Sequence, residues 1–427
     1  MDSAFRDAIL EAIIRFYFES GDFNGMPVRI VKARFGLSDA EANDLLRSLV
    51  SEGVVDVMCG NVHPNPHIKA FSGIPRDDQL RFLAELKDSD HFCLYPTRTV
   101  LDKRPEPQKF DGAPYSKELA LGAGQLDFRA FDLSVLEYYR NDPRYSYRTD
   151  WISGSISIRD EYFESDAMPE HDQVLLQTFG FAYDEDLNRA VAVFVRYLHD
   201  LSPEHQRVWA AKELGHGYKL HPDYYRNSIL GDWGRKISVF DAFLQELVVI
   251  DEMAATMGRP PLFRETFKDN PPKEFGFLLR PTIEEFNAFV QLLDKMMSDN
   301  LNYDFFQGEV PREEHELRSD GKVVVRQLGT IQLLDRWIHE YFKPADPTPI
   351  EKMLEVFRKV RKLRQKPAHA VAEDEFDQKY FREQRQLVLD AYEAVRTLRL
   401  ILANHPRVRA KPPEIGKHLY EGEIWDI

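Results

Sequence analysis

Apolar residues recur every three or four positions at the start of the chain, and this spacing predicts an amphipathic helix over residues 4–19. The apolar stripe of this helix consists of Phe5, Ile9, Ile13, Phe16 and Tyr17. A second, short helix is predicted to stop at Gly36, and Ser38 is expected to open a third helix that ends at Gly53. The segment 54–62 then has the pattern of a strand and a turn.

Three helices followed by a strand, with these lengths, resemble a winged helix-turn-helix domain over residues 1–72. In such domains the third helix binds DNA. Here the third helix carries four acidic residues and one basic residue: Asp39, Glu41, Asp44, Glu52 and Arg47. Because phosphate contact is mainly electrostatic, a structural or protein-binding winged helix is favoured over a DNA-binding one, which remains an alternative.

The middle of the chain, residues 73–275, mixes short strands and helices and is interpreted as an α+β domain of unknown family. Alternating or uniformly apolar segments predict three strands, over 125–132, 151–159 and 172–183. The most apolar of these is the last, which is expected at the centre of a sheet. Three helices are also predicted, over 186–201, after the capping residue Ser202, and up to Gly258.

From residue 281 onward the pattern is helical. Two capping boxes, Thr282 with Glu285 and Thr348 with Glu351, open the first and third predicted helices. The remaining predicted features are a hairpin around Asp320-Gly321, a second helix starting near Ile331 and a long last helix whose apolar face runs from Phe376 to Ile401. Four helices with short to moderate links predict a bundle over 281–410, followed by a tail over 411–427. The fold class is therefore expected to be mainly α with an α+β middle.

Composition narrows the class of protein. A formal charge of −15 argues against a general nucleic-acid coating role, although it says little about one local site. Two cysteines, Cys59 and Cys93, give no disulfide framework and are typical of a reducing compartment. The N-terminus lacks the pattern of a signal peptide, and no apolar run approaches the ~18 residues of a membrane span. We expect a soluble, cytoplasmic protein that makes no membrane contact.

Two further sequence patterns resemble functional motifs but do not predict a function. The apolar segment 247–253 ends in Asp-Glu like a nucleotide hydrolase strand, but no phosphate-binding glycine-rich loop accompanies it. Cys59, His63, His67 and Cys93 have the right chemistry for zinc, yet they lie in a proline-containing loop without a second paired cluster. Neither a metal nor another cofactor is therefore predicted.

An arginine followed by four to six residues and then a histidine occurs twice, as Arg364 with His369 and as Arg399 with His405. The pattern alone is weak evidence for a functional site, so the residues around each pair are used to interpret it. The second pair stands where a helix stops before a proline and is interpreted as cations that complement the C-terminal end of a helix.

The context of the first pair is different. Arg364 lies four residues after Val360 on the apolar stripe of its helix, where a guanidinium group needs a partner or an anion. Pro367 disfavours further helix and could turn His369 back toward the arginine. Six of the nine residues 358–366 are Arg or Lys, which indicates an anionic ligand against the acidic background.

A helical bundle bearing the sequence RQKPAH resembles the HEPN superfamily of metal-independent ribonucleases, over about residues 281–405. The resemblance implies RNA cleavage through attack of the 2′-hydroxyl on the adjacent phosphate. His369 would act as general base or acid, Arg364 would stabilise the transition state, and Gln365 would position the motif or touch the phosphate. Three basic neighbours are expected to bind the RNA backbone: Arg361, Lys362 and Lys366.

The resemblance also implies a homodimer whose composite site forms where two bundles meet. Because a cell must restrain such an enzyme, we expect a regulated toxin or phage-defence effector whose N-terminal and middle parts sense a trigger or partner. The alternative is a catalytically silent HEPN-like or winged-helix regulator that binds nucleic acid or a protein.

Overall fold

Helices account for about 51% and strands for about 15% of the computed structural model, so the expected α-rich class with α+β content is confirmed at this level. The structure describes residues 3–85, 90–150, 152–163, 168–234, 236–317, 323–365 and 373–425. The chain divides into two compact units: unit 1 is Met1–Tyr147 with Gly154–Tyr224, and unit 2 is Arg148–Ser153 with Tyr225–Ile427. Within the described ranges, none of the helices has both the length and the apolar character needed to cross a membrane.

Unit 1 begins with three helices and a small sheet. The elements are α1 (Ser3–Glu19), β1 (Met26–Pro27), α2 (Val28–Phe35), α3 (Asp39–Ser51), β2 (Val55–Met58), α4 (Arg76–Glu85) and β3 (Cys93–Pro96). The strands form an antiparallel sheet in the order β1-β3-β2. Gly36 adopts a left-handed φ of 67° after α2, and Ser38 with Glu41 forms a capping box on α3, so both predicted helix boundaries are confirmed.

The connection between β2 and β3 is longer than a turn and contains α4. Leu83 of α4 and Phe92 belong to the same buried cluster as Leu46 of α3 and Leu94 of β3. The elements that close this N-terminal core therefore extend beyond residue 72.

The rest of unit 1 is a sheet with short helices around it. The elements between residues 98 and 225 are α5 (Arg98–Leu101), α6 (Pro114–Ala120), β4 (Phe128–Phe131), α7 (Glu137–Arg140), β5 (Tyr145–Thr149), β6 (Ser153–Ile158), α8 (Asp160–Phe163), β7 (Leu175–Tyr183), β8 (Arg189–Phe194), α9 (Val195–His199), α10 (Pro203–Ala210), β9 (Lys219–Leu220) and α11 (Pro222–Tyr225). Short 3₁₀ turns occupy Glu106–Phe110, Leu133–Leu136 and Glu170–Asp172. The strand order is β4-β8-β7-β6-β5, with β9 also pairing with β7, so β7 is central as predicted.

The single helix predicted over 186–201 is wrong. The chain instead forms β8, which pairs antiparallel with β7 in the register Gly180↔Ala192, and then the short helix α9. All side chains from Ala190 to Phe194 are buried, so both faces of the strand are apolar. A strand buried on both faces loses the alternation that marks a half-exposed strand, and a continuous apolar run also fits a helix.

Unit 2 is mainly helical. Its elements are β10 (Ile237–Ser238), α12 (Val239–Met257), α13 (Ile283–Met296), β11 (Glu313–Leu317), β12 (Val323–Gln327), α14 (Thr330–Tyr341), α15 (Thr348–Gln365), α16 (Lys379–Leu402), α17 (Pro406–Ala410), α18 (Lys417–Glu421) and β13 (Ile424–Trp425), with a π turn at Arg226–Leu230 and a 3₁₀ turn at Tyr303–Phe306. Helix α16 packs against α12, α13 and α15, and α15 also contacts α13 and α14. Helix α12, predicted as part of the middle domain, thus belongs to the helical packing of unit 2.

The structure confirms some of the predicted local features of unit 2 and contradicts others. Gly258 ends α12 in a left-handed conformation, as predicted. Thr282 caps α13, but the carboxylate of Glu285 accepts from the backbone N–H groups of Leu279 and Arg280 rather than from Thr282. Phe376 precedes α16 and is 67% exposed, so its assignment to the apolar face of that helix is wrong.

Strands β11 and β12 pair antiparallel, as a hairpin requires. The predicted turn residues Asp320 and Gly321 lie outside the described residues.

Candidate functional site

Arg364 lies in the last turn of α15, where the chain faces α13. Its Nη1 donates to Oδ2 of Asp294 at 2.6 Å and to Oδ2 of Asp299 at 2.5 Å. Asp294 is in the last turn of α13 and is fully buried. The anion that an arginine on an apolar stripe requires is therefore supplied by carboxylates of the same unit.

Arg361 lies one turn earlier and engages the same two carboxylates. Its Nη2 donates to Oδ1 of Asp299 at 2.6 Å, and its Nε lies 3.1 Å from Oδ1 of Asp294. That second contact has the distance of an ion pair without the geometry of a hydrogen bond, so both buried atoms lack a hydrogen-bond partner within the described residues. We call Asp294, Asp299, Arg361 and Arg364 the Asp–Arg cluster; its formal charge is zero.

The contacts of the cluster favour the charged forms of Asp299 and Arg364. Burial alone would raise the pKa of Asp299, but the hydrogen bonds and charges of Arg361 and Arg364 outweigh it and keep that pKa below its ordinary value. Hydrogen bonds to Asp294 and Asp299 raise the pKa of Arg364. Both arginine side chains remain 31% exposed. The Nε and Nη2 groups of Arg364 make no hydrogen bond to a described residue.

The other basic residues at this end of α15 are largely neutralised as well. Arg358 donates to Asp335 of α14 at 2.6 Å, and Lys359 donates to Asp390 of α16 at 2.8 Å. Lys362 is exposed and forms no ion pair with the described parts of the chain. Most of the basic residues in 358–366 thus form ion pairs with acidic residues of unit 2.

The other predicted catalytic residues are less defined. Gln365 is the last residue of α15 and is exposed. Lys366, Pro367 and His369 lie within 366–372, outside the described residues. Of the predicted catalytic group, Arg364 alone is placed in a defined set of contacts.

Arg399 of the second arginine–histidine pair lies in the last turn of α16, as predicted, but the two residues do not act together as cations at that helix end. Arg399 is 3% exposed, and its Nε donates to Oε2 of the fully buried Glu246 of α12 at 2.5 Å. His405 instead caps α17, with Nδ1 accepting from the backbone N–H of Arg407. The Arg399–Glu246 pair joins α16 to α12 and has a structural role.

Sequence reasoning missed the acidic partners, although a signal exists. Asp294 follows Phe286 and Val290 at four-residue spacing, so it stands on the apolar stripe of its helix. Glu246 stands in the same way within the otherwise apolar face of α12. An acidic residue on such a stripe indicates a buried cationic partner elsewhere in the chain.

Two of the four residues with zinc-ligand chemistry in unit 1 lie close together. Sγ of Cys93 lies 3.7 Å from Nδ1 of His67. Among the residues that the structure describes, His, Cys, Asp and Glu nowhere form a group of three able to hold a metal ion. On α3, Glu41, Asp44 and Arg47 are all exposed, so its outer surface is more acidic than basic.

No family model matches this sequence, and neither a curated protein nor a solved structure shows significant similarity to it.

Proposed function

We propose that the chain is a metal-independent endoribonuclease of the HEPN type. In this proposal Arg364 binds the scissile phosphate, His369 transfers protons to and from the 2′-hydroxyl and the leaving oxygen, and Gln365 touches the phosphate or positions the motif. The observation that supports the proposal is the orientation of Arg364 at the end of α15, where two carboxylates hold Nη1 and no described residue accepts a hydrogen bond from Nε or Nη2.

The contacts of Arg364 suit the proposed role. Two carboxylates hold Nη1, so the planar group does not have to be ordered when the substrate binds. The Nε and Nη2 donors have the fork geometry that pairs with two phosphate oxygens. Hydrogen bonds from these donors to the phosphate would strengthen as negative charge builds up in the phosphorane-like transition state, which is how Arg364 would accelerate the reaction.

In this proposal Lys362 and Lys366 provide most of the electrostatic attraction for the RNA backbone. Arg361 already pairs with Asp294 and Asp299, so it contributes less to RNA binding than Lys362 and Lys366 in this proposal. The exposed position of Lys362 supports its assignment.

We further propose that the active form is a cytoplasmic homodimer with a composite site, and that unit 1 restrains it until a trigger or partner binds. The order of α1, α2, α3 and the β1-β3-β2 sheet supports a winged-helix interpretation of the N-terminus. The acidic surface of α3 favours a protein partner over DNA. A role as a toxin or phage-defence effector follows from the need to restrain such an enzyme.

The neutral Asp–Arg cluster favours a second candidate, a catalytically silent relative. Two arginines are balanced by two aspartates, one of which is fully buried, and such a set of ion pairs can hold α13 against α15 without any catalytic role. In that case Arg364 has a structural role only and the chain acts by binding a protein or nucleic acid.

Incubating the purified full chain with total RNA and a chelator distinguishes the candidates. The wild type should cleave RNA and leave cyclic phosphate ends, and His369→Ala and Arg364→Ala should each lower the rate by about 100-fold or more. His405→Ala is the matched histidine control, since His405 caps α17, and it should cleave at the wild-type rate. Equal cleavage by wild type and His369→Ala would contradict the proposal, and a folded wild type that leaves RNA intact would favour the silent relative.

A further inference from the structure

A continuous chain of side-chain hydrogen bonds crosses the interior of unit 1. Nε1 of Trp209 lies 2.9 Å from the hydroxyl of Tyr139, which lies 2.8 Å from Nδ1 of His205. Nε2 of His205 lies 3.1 Å from Oδ1 of Asp172. Trp209 and Tyr139 are fully buried, His205 is 1% exposed, and the Asp172 side chain is 15% exposed, so the chain runs from the core to the surface.

The donors and acceptors fix the protonation state of the imidazole. An indole N–H only donates, so the Tyr139 oxygen accepts from Trp209. Since Nδ1 of His205 is the other hydrogen-bond partner of this hydroxyl among the described residues, the hydroxyl proton is satisfied only when it is donated to an unprotonated Nδ1. Nε2 carries the remaining imidazole proton and donates to Asp172. Every member of the chain is satisfied when His205 is neutral.

A second proton on His205 is incompatible with this arrangement. With a proton on Nδ1, the tyrosine can no longer donate to the imidazole, and the described residues offer its buried hydroxyl proton no other hydrogen bond. A buried donor that loses its partner costs the full desolvation of the group. We propose that His205 is an acid-sensitive latch that joins α7, α10 and the Glu170–Asp172 turn, and that protonation of Nδ1 releases it.

The charged surroundings of His205 determine whether the latch opens in acid. The negative charge of Asp172 favours the protonated ring. That charge is shared with Arg144, whose Nη1 lies 3.8 Å from Oδ2 of Asp172, and Nε2 of His171 lies 3.7 Å from Oδ1. Glu204 on α10 also favours protonation, whereas Tyr138, Tyr139 and Tyr145 surround the ring with aromatic surface. Burial is the largest influence and lowers the pKa of His205 below its ordinary value, despite the hydrogen bond and charge of Asp172.

The sign of the pH dependence follows. Because the folded state resists a proton that the unfolded chain accepts near pH 6.5, the stabilisation is complete above that pH. It is lost as the pH falls from there toward the lowered pKa of the folded state. The latch is thus closed at neutral pH and weakened in acid.

Hydrogen exchange of the full-length protein, read by mass spectrometry on peptides covering α10, tests the latch. After correction for the intrinsic exchange rate, protection in the wild type should fall about tenfold or more between pH 7 and pH 5. His205→Asn places a neutral acceptor near the position of Nδ1 and should abolish that fall. His171→Asn is the matched control, because His171 also faces Asp172 but is 51% exposed, and it should keep the fall.

A fall that persists in His205→Asn, or one that disappears in His171→Asn, would overturn the proposal. If His205→Asn does not fold, the variant Tyr139→Phe provides an independent test. Removing the hydroxyl takes away the donor that favours the neutral ring, so the titration midpoint of His205, followed by NMR of labelled histidines, should rise. An unchanged midpoint in every histidine resonance would also reject the latch.

Discussion

Asp294 and Arg364 join the C-terminal ends of α13 and α15 through a 2.6 Å hydrogen bond, although they stand 70 residues apart in the sequence. The carboxylate is fully buried and the guanidinium is partly exposed. This contact places the arginine of the proposed ribonuclease motif and at the same time ties two bundle helices together. The structural role of Arg364 and its proposed catalytic role therefore have to be separated by experiment.

Replacing Asp294 with Asn should destabilise the protein more than replacing Asp299. Removing a buried partner leaves Arg361 and Arg364 without a full counter-charge, and we expect a loss of about 2–4 kcal/mol in the free energy of unfolding. Asp299 is 39% exposed, so Asp299→Asn should cost less than about 1 kcal/mol. Urea unfolding followed by circular dichroism measures the free energy of unfolding of both variants. Equal losses would show that burial does not determine how much each aspartate contributes to stability.

The buried pair of Arg399 and Glu246 allows a double-mutant test. Arg399→Met leaves the buried carboxylate of Glu246 without its cation, and Glu246→Met leaves the buried guanidinium of Arg399 without its anion. Each variant should therefore lower the free energy of unfolding by about 3–5 kcal/mol. The double variant removes both charges and fills similar space, so its loss should be much smaller than the sum. Additive losses, measured by the same unfolding experiment, would show that the two side chains are not energetically coupled.

The sequence predicts local features better than distant partners. Ser38, Ser202 and Gly258 act within a few residues of themselves, and each ends or begins a helix as predicted. The pairing of Arg364 with Asp294 depends on which helices pack together, and helical periodicity does not contain that information. The same limit explains why the position of Arg364 indicated an anion but did not identify it as a carboxylate of the protein itself.

The error over 186–201 has a related cause. Val191 and Val193 face one side of β8 and Ala190 and Ala192 the other, and all four are buried. Only the pairing of β8 with β4 and β7 reveals the strand. Residues buried on both faces by tertiary contacts carry no local alternation.

Gly180 of β7 should not tolerate even a methyl group. A Cβ at this position would lie 2.1 Å from Cδ1 of Tyr224, whose ring is buried. Gly180→Ala should therefore destabilise unit 1 by about 1–3 kcal/mol, and Tyr224→Ala in the same chain should relieve the clash. Gly215→Ala is the matched control because nothing lies within 4 Å of its Cβ. A thermal unfolding midpoint that is unchanged in Gly180→Ala would contradict this close packing.

Asp251 should make the stability of unit 2 depend on pH with the opposite sign to His205. Burial raises its pKa to about 6, although Oδ1 accepts the backbone N–H groups of Leu262 and Phe263. Since the folded state binds a proton that the unfolded chain has released, stability falls as the pH rises through 6. Asp251→Asn keeps the acceptor without the charge and should add about 1–3 kcal/mol at pH 7–8, with the gain vanishing near pH 4. Urea unfolding across this range measures the gain, with the exposed neighbour Glu252→Gln as control, and a gain independent of pH would exclude titration of Asp251 as its source.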